Sequence, residues 1–360
     1  MSVEEQVAPD ATPGRADMRG TATPGALVQL VARMAGRRVV VLGDMVADEY
    51  IIGSPTRLSR EAPIPILEVS DRYIVPGGGA NLAANLRSLG AQVAVAGVIG
   101  DDPAGATLAR RLAAAGINTE GLFVQGGRPT STKTRLIGGS AQQAPQQVAR
   151  FDHVDRSEIS APAKKALVRF LAAQLPHADA LLISDYDNGV INQQVIETAL
   201  PLAQAQGIII TVDSHGDLFR FQNITVATPN EPEAVATVGR EVRSLDDLYA
   251  VGARLLEGMR ARGILITRGS QGMALFERDR PVQLLPIPEG AFSEVRDPTG
   301  AGDTVAAVFT LALVAQATMP QAAYLSNVAA GLVVRRFGVV TVAPQELVAA
   351  LNRQASPPSL

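Results

Sequence analysis

The sequence predicts an α/β protein, a three-layer fold with a mostly parallel sheet flanked by helices and a small β-sheet lid. Three observations carry this. From residue 37 onward, short apolar runs alternate with helical patterns, the rhythm of βαβ units. Asp44, Asp185, Asp213 and Asn230 each fall just after a predicted strand, and parallel sheets collect ligands at the carboxyl ends of their strands. Two segments, 50–75 and about 125–152, break the rhythm and alternate apolar with polar residues. That period of two suggests a small antiparallel sheet beside the main one, placed to act as a lid.

The elements follow in order. Residues 1–26 hold Pro, Gly, Ala, Thr and charges without periodicity and read as an irregular tail, not a secretory signal. The remainder, 27–355, reads as one domain with the lid segments inserted. Arg38–Gly43 is a buried strand, Ala80–Leu89 a helix ended by Gly90, Val93–Ile99 a strand, and Pro103–Ala115 a helix ended by Gly116. Later strands are Ala180–Ser184, Ile208–Asp213, Thr225–Thr228 and Gly263–Thr267, with helices between them. The long apolar run Val305–Ala317 is a helix.

Composition removes several function classes. The 360 residues contain no cysteine, so disulfides and thiolate chemistry are absent. His153, His177 and His215 lack metal-ligand spacing. A net charge of −3 argues against nucleic acid as a partner. Of 32 basic residues only Lys133, Lys164 and Lys165 are lysines, and no Gly-Lys pair exists, which excludes a Walker-type loop. The apolar run after Asp303 is too short to span a bilayer, so no membrane association and a cytoplasmic location are expected.

Asp297-Pro298-Thr299-Gly300-Ala301-Gly302-Asp303 is the most informative string. It feeds the start of a helix, where backbone N–H groups lack partners and the helix dipole favours phosphate. A carboxylate there can take a proton from a hydroxyl that attacks the phosphate. A glycine-rich connection with an acidic cap is the plain structural alternative. Pro76-Gly77-Gly78-Gly79-Ala80-Asn81 precedes a helix and reads as a turn, with no dinucleotide fingerprint. Asp44 and Asp48 suit either turn chemistry or acceptance from sugar hydroxyls. Thr228-Pro229-Asn230-Glu231-Pro232-Glu233 starts a helix with acids in its first turn, and Thr267–Gly272 reads as a hairpin turn. Arg57, Lys133, Arg135 and Arg150 lie in the lid segments. They either discourage edge pairing or bind a phosphate carried by the substrate.

The seven-residue string resembles the second signature of the ribokinase-like, or PfkB, carbohydrate kinases, and the resemblance spans roughly residues 37–350. It implies Asp303 as the base and Gly300, Ala301 and Gly302 as the anion hole. It implies sugar contacts from Asp48, Asp44, Gly77, Gly78 and Asn81. Asn230 and Glu233 match the element that organises Mg²⁺ near the phosphates, with Glu233 the metal-side acid. ATP would meet Thr267, Gly269, Gly272, Thr299 and Asn327, and a monovalent cation such as K⁺ is a further expectation. Within the family the chain is most similar to the heptose-7-phosphate kinases, through Gly43-Asp44 with Asp48 and Tyr50, Arg57-Leu58-Ser59 with Glu61-Ala62-Pro63, Lys133/Arg135, Gln146-Gln147 with Arg150 and Asp152, and Ser184-Asp185-Tyr186. Lys133, Arg135 and Arg150 then become substrate contacts, and a homodimer through the lid is expected. The chain departs from that pattern at Arg60, Asp187-Asn188-Gly189 and Asp213-Ser214-His215-Gly216, which removes two cations. A kinase of another sugar or nucleoside, and a non-catalytic sugar-binding regulator, are the alternatives on the same frame.

Overall fold

A computed structural model describes residues 23–140, 143–287 and 295–355. Helix α1 (Pro24–Met34) starts where the irregular tail was expected to continue, because Thr23 caps its first turn and Leu27, Leu30, Val31 and Met34 bury one face. Strand β1 (Arg38–Gly43) leads through Asp44 alone into β2 (Met45–Leu58), which pairs with β3 (Pro65–Gly78). Then come α2 (Gly79–Ser88), β4 (Gln92–Gly100), α3 (Pro103–Ala114) and β5 (Asn118–Gln125). The second hairpin is β6 (Thr132–Ser140) and β7 (Gln143–His153). Next in order are α4 (Ala161–Gln174), β8 (Ala180–Asp185), α5 (Gln193–Ala205), β9 (Ile209–Ser214), β10 (Val226–Ala227) and α6 (Glu231–Val238). The chain continues through α7 (Leu245–Gly258), β11 (Gly263–Thr267), β12 (Met273–Glu277), β13 (Gln283–Leu285), α8 (Ala301–Val314), α9 (Met319–Val333) and α10 (Pro344–Ala355).

Nine strands form the main sheet in the order β13-β12-β11-β10-β9-β8-β1-β4-β5. Pairing is parallel from β5 to β11 and antiparallel at β12 and β13. Alternate residues of each strand feed two separate cores. Val39 and Val41 pack with α1, α2, α8 and α9, whereas Val40 and Leu42 pack with α4, α5 and α7. This is why the strands read as unbroken apolar runs: both faces are covered. The order reverses at β1, with β4 on one side and β8 on the other, and such a switch point opens a crevice at the strand ends.

The lid is a four-stranded sheet, β3-β2-β6-β7. It was expected to be antiparallel, and each hairpin is, but the central pair β2–β6 is parallel. The reason lies in the main sheet. β1 and β5 run in the same direction, so the hairpins that follow them leave the same edge side by side. Strand β10 is also shorter than the expected Thr225–Thr228, although the amides of Thr225 and Thr228 still donate to β9.

Candidate active site

One end of the site is built by α8. Gly300 caps it in the left-handed conformation (φ 79°, ψ 3°), with no side chain satisfying the first amides. A residue with a Cβ is strained there. Nothing lies within 4 Å of the place a Cβ on Gly302 would occupy, so an anion can approach that backbone. Ala301 opens the helix itself. The preceding turn is pinned by Asp297, which accepts from the amides of Thr299 and Gly338, both at 2.9 Å.

Asp303, in the first turn of α8, is buried. Its Oδ2 accepts from Asn81 Nδ2 at 2.6 Å and its Oδ1 from the Tyr186 hydroxyl at 2.9 Å. Burial pushes its carboxyl up to about 6, against the lowering effect of these two donors. A cavity of about 200 Å³ opens in front of it. Gly300, Gly302 and Asp303 line it together with Tyr186, Asp213 and His215, and with Thr228, Asn230, Glu233 and Thr267. A shallower depression of about 480 Å³ lies at the other end of the strands, around Arg33, Arg38, His177 and Asp179, away from this chemistry.

The lid approaches the site at Tyr186. Asp48 on β2 is buried and pairs with Arg135 on β6 at 2.8 Å. Gly77 makes room for it: a Cβ there would lie 2.6 Å from Asp48 Oδ2. Lys133 shares the strand with Arg135, and its Nζ sits 4.3 Å from the centre of the Tyr186 ring. Burial lowers the Lys133 ammonium pKa, an effect opposed by the charges of Asp48 and Asp303. Arg150 on β7 stands opposite Arg135 and pairs with Asp152 at the surface. Arg57 is exposed near the far end of β2. Gly78 ends β3 directly before α2.

Asp44 faces inward, not toward the cavity. Its carboxylate accepts from the amides of Tyr186 (2.7 Å), Asn188 (3.2 Å) and Val190 (3.4 Å). Burial, and then Asp185, push it up to about 6 despite these donors. Asn81 likewise spends its amide on Asp303.

Asn230 and Glu233 form a reciprocal cap on α6, and Glu233 Oε1 also meets His215 Nδ1 at 2.5 Å. Burial alone would lower the His215 pKa, but the Glu233 hydrogen bond and charge outweigh it and raise the value. Gly269 and Gly272 frame the turn between β11 and β12, as the expected hairpin requires. Asn327 on α9 donates to the Pro286 carbonyl at 2.8 Å. Tyr186 and His215 were not singled out as site residues from sequence, and Asp213 only as a strand-end position. Their signal was position, since each stands at or just past the carboxyl end of β8 or β9.

Among the described residues, no group of three or more His, Cys, Asp or Glu side chains could hold a metal ion. Asn230 and Glu233 line the same cavity as Gly300 and Gly302, and one carboxylate with an amide oxygen is a donor set compatible with a magnesium ion that keeps most of its waters. No helix among the described residues is long and apolar enough to cross a membrane.

A lidded parallel sheet whose switch point carries a buried acid beside an uncapped helix start defines an α/β phosphotransferase. Similar proteins agree. Residues 37–346 match the pfkB family of carbohydrate kinases. The bifunctional protein HldE of Desulfatibacillum aliphaticivorans is 41% identical over 326 residues, covering 90% of this chain and 65% of that protein. HldE of Geobacter metallireducens is 37% identical over 328 residues, again covering 65% of its length. The chain thus spans about 65% of the length of these curated relatives. Among solved structures, phosphofructokinase-2 from Escherichia coli superposes with a TM-score of 0.72 at 19% identity, covering 89% of this chain and 100% of that one. Arabidopsis thaliana ribokinase gives 0.67 at 20% identity, covering 88% and 99%. The chain belongs to the pfkB family of carbohydrate kinases.

Proposed function

We propose that this kinase transfers the γ-phosphoryl group of ATP to a hydroxyl of a sugar phosphate, with heptose 7-phosphate giving the 1,7-bisphosphate. The observation that carries the chemistry is the buried Asp303 carboxylate in the first turn of a helix whose N-terminal amides no side chain caps. Asp303 takes the proton of the acceptor hydroxyl. The amides of Gly300–Gly302 hold the charge of the transferring group. Asp48 accepts from sugar hydroxyls, and Thr267, Gly269, Gly272 and Asn327 border the nucleotide. Glu233, with Asn230, would hold the hydrated magnesium, which supplies charge neutralisation at the phosphate oxygens. The lid keeps water from the reacting centre.

The substrate's own phosphate is supported by cations on the lid. Lys133 and Arg135 share β6 and Arg150 faces them from β7. The heptose assignment rests on the motif string from Asp44 to Tyr186 and on similarity to the HldE proteins. A homodimer through the lid is supported by its exposed apolar side chains, Leu58, Ile64, Val69, Val148 and Phe151.

Substituting Asp303→Asn tests the base. Turnover should fall by about 10³-fold or more while nucleotide binding, read by calorimetry, stays within a few-fold. Near-normal turnover would remove Asp303 from the mechanism.

A further inference from the structure

Asp303 is held from two sides by neutral donors on different elements. Asn81 comes from α2, and Tyr186 from the loop after β8. That loop has its own anchor, because the Asp44 carboxylate gathers the amides of Tyr186, Asn188 and Val190. The Tyr186 ring is also fixed in orientation. The His215 ring meets it edge-on with centroids 4.4 Å apart, and Lys133 Nζ stands over it. Its hydroxyl therefore points at Oδ1 by construction. Each carboxylate oxygen has two lone pairs, so one donor on each leaves capacity for the acceptor hydroxyl.

We propose that Tyr186 is a positioning residue for phosphoryl transfer: its hydroxyl, with the Asn81 amide, orients the Asp303 carboxylate and holds it in its proton-accepting form. The inference rests on Asp303 being the base. A donor to a buried carboxylate stabilises the ionised form, so its removal favours the protonated one. The charged groups facing Asp303 are Asp48 from β2, Lys133 from β6, and Asp213 and His215 at the end of β9. Asp44 lies behind Tyr186, and Glu233 faces His215. Tyr186→Phe keeps all of these and both ring contacts, and removes only the hydroxyl.

The test is the pH profile of kcat/KM for the wild type and Tyr186→Phe, with the cycle Asp303→Asn and the double variant alongside. The acidic limb should move upward by about one pH unit, a roughly tenfold loss below the limb. Adding Tyr186→Phe to Asp303→Asn should change the residual rate by less than about twofold, because the positioned group is already gone. An unmoved limb, or losses that multiply in the double variant, would overturn the role of Tyr186 and leave the base intact. Near-normal turnover of Asp303→Asn would instead remove the base itself.

Discussion

At the residue scale, Asp303 is a carboxylate kept where carboxylates are least stable. Its ordinary value is 3.8, and burial pushes it up to about 6. Below about pH 4 it is protonated in both folded and unfolded chains, so it adds no penalty. As pH rises from about 4 to about 6, the unfolded chain releases its proton first and stability falls. Above about 6 the penalty is complete. Asp303→Asn should therefore be more stable than the wild type at pH 7, by on the order of 1–2 kcal/mol after loss of part of the Asn81 and Tyr186 bonding. Near pH 4 the gain should be gone, and the lost bonding should leave the variant no more stable than the wild type. Urea unfolding at both pH values checks this, and a variant less stable than wild type at pH 7 contradicts it. Asp303 and Gly300–Gly302 were legible in the sequence because the motif is contiguous and its physics is local. Asp213 was legible only as a strand-end position, and Tyr186 and His215 were not marked as site residues. All three come near Asp303 because β8 lies next to β1 and β9 next to β8 in the sheet, and no local pattern encodes that order.

At the element scale, the lid is joined firmly to the phosphate end. Tyr50 on β2 stacks on Tyr73 with centroids 5.3 Å apart, and its hydroxyl accepts from the Val339 amide at 3.2 Å. Burial pushes that hydroxyl up to about 12, so it stays neutral. Next to Val339, Gly338 donates to the Asp297 carboxylate that shapes the turn before α8. The outer part of the lid is different, with Phe151 on edge strand β7 63% exposed. If the lid pairs two copies, Phe151→Asp should weaken association at least tenfold by putting a charge into an apolar contact. Sedimentation equilibrium reads this directly. A monomeric wild type, or an unchanged dimer in the variant, would argue against the lid interface. The two-residue periodicity made the lid strands legible. The parallel β2–β6 pairing was not, since it depends on both hairpins leaving one edge of a sheet whose strand order the sequence does not display.

At the scale of the whole molecule, two cores clamp one sheet and leave its carboxyl edge open. Val39 and Val41 serve one core, Val40 and Leu42 the other. This three-layer plan was legible because unbroken apolar strands separated by amphipathic helices have few other solutions. It brings Asp303, the start of α8 and Glu233 to one cavity, with Lys133 of the lid over the Tyr186 ring, although they come from residues 133 to 303. Acceptor identity rests on the lid, so the decisive observation is of the product. ³¹P NMR of the enzyme with ATP, Mg²⁺ and heptose 7-phosphate should show the 7-phosphate resonance retained. A second phosphate coupled to the anomeric proton should appear, one per ADP formed. ADP accompanied only by inorganic phosphate, or an unphosphorylated sugar accepted in preference, would contradict a sugar-phosphate kinase.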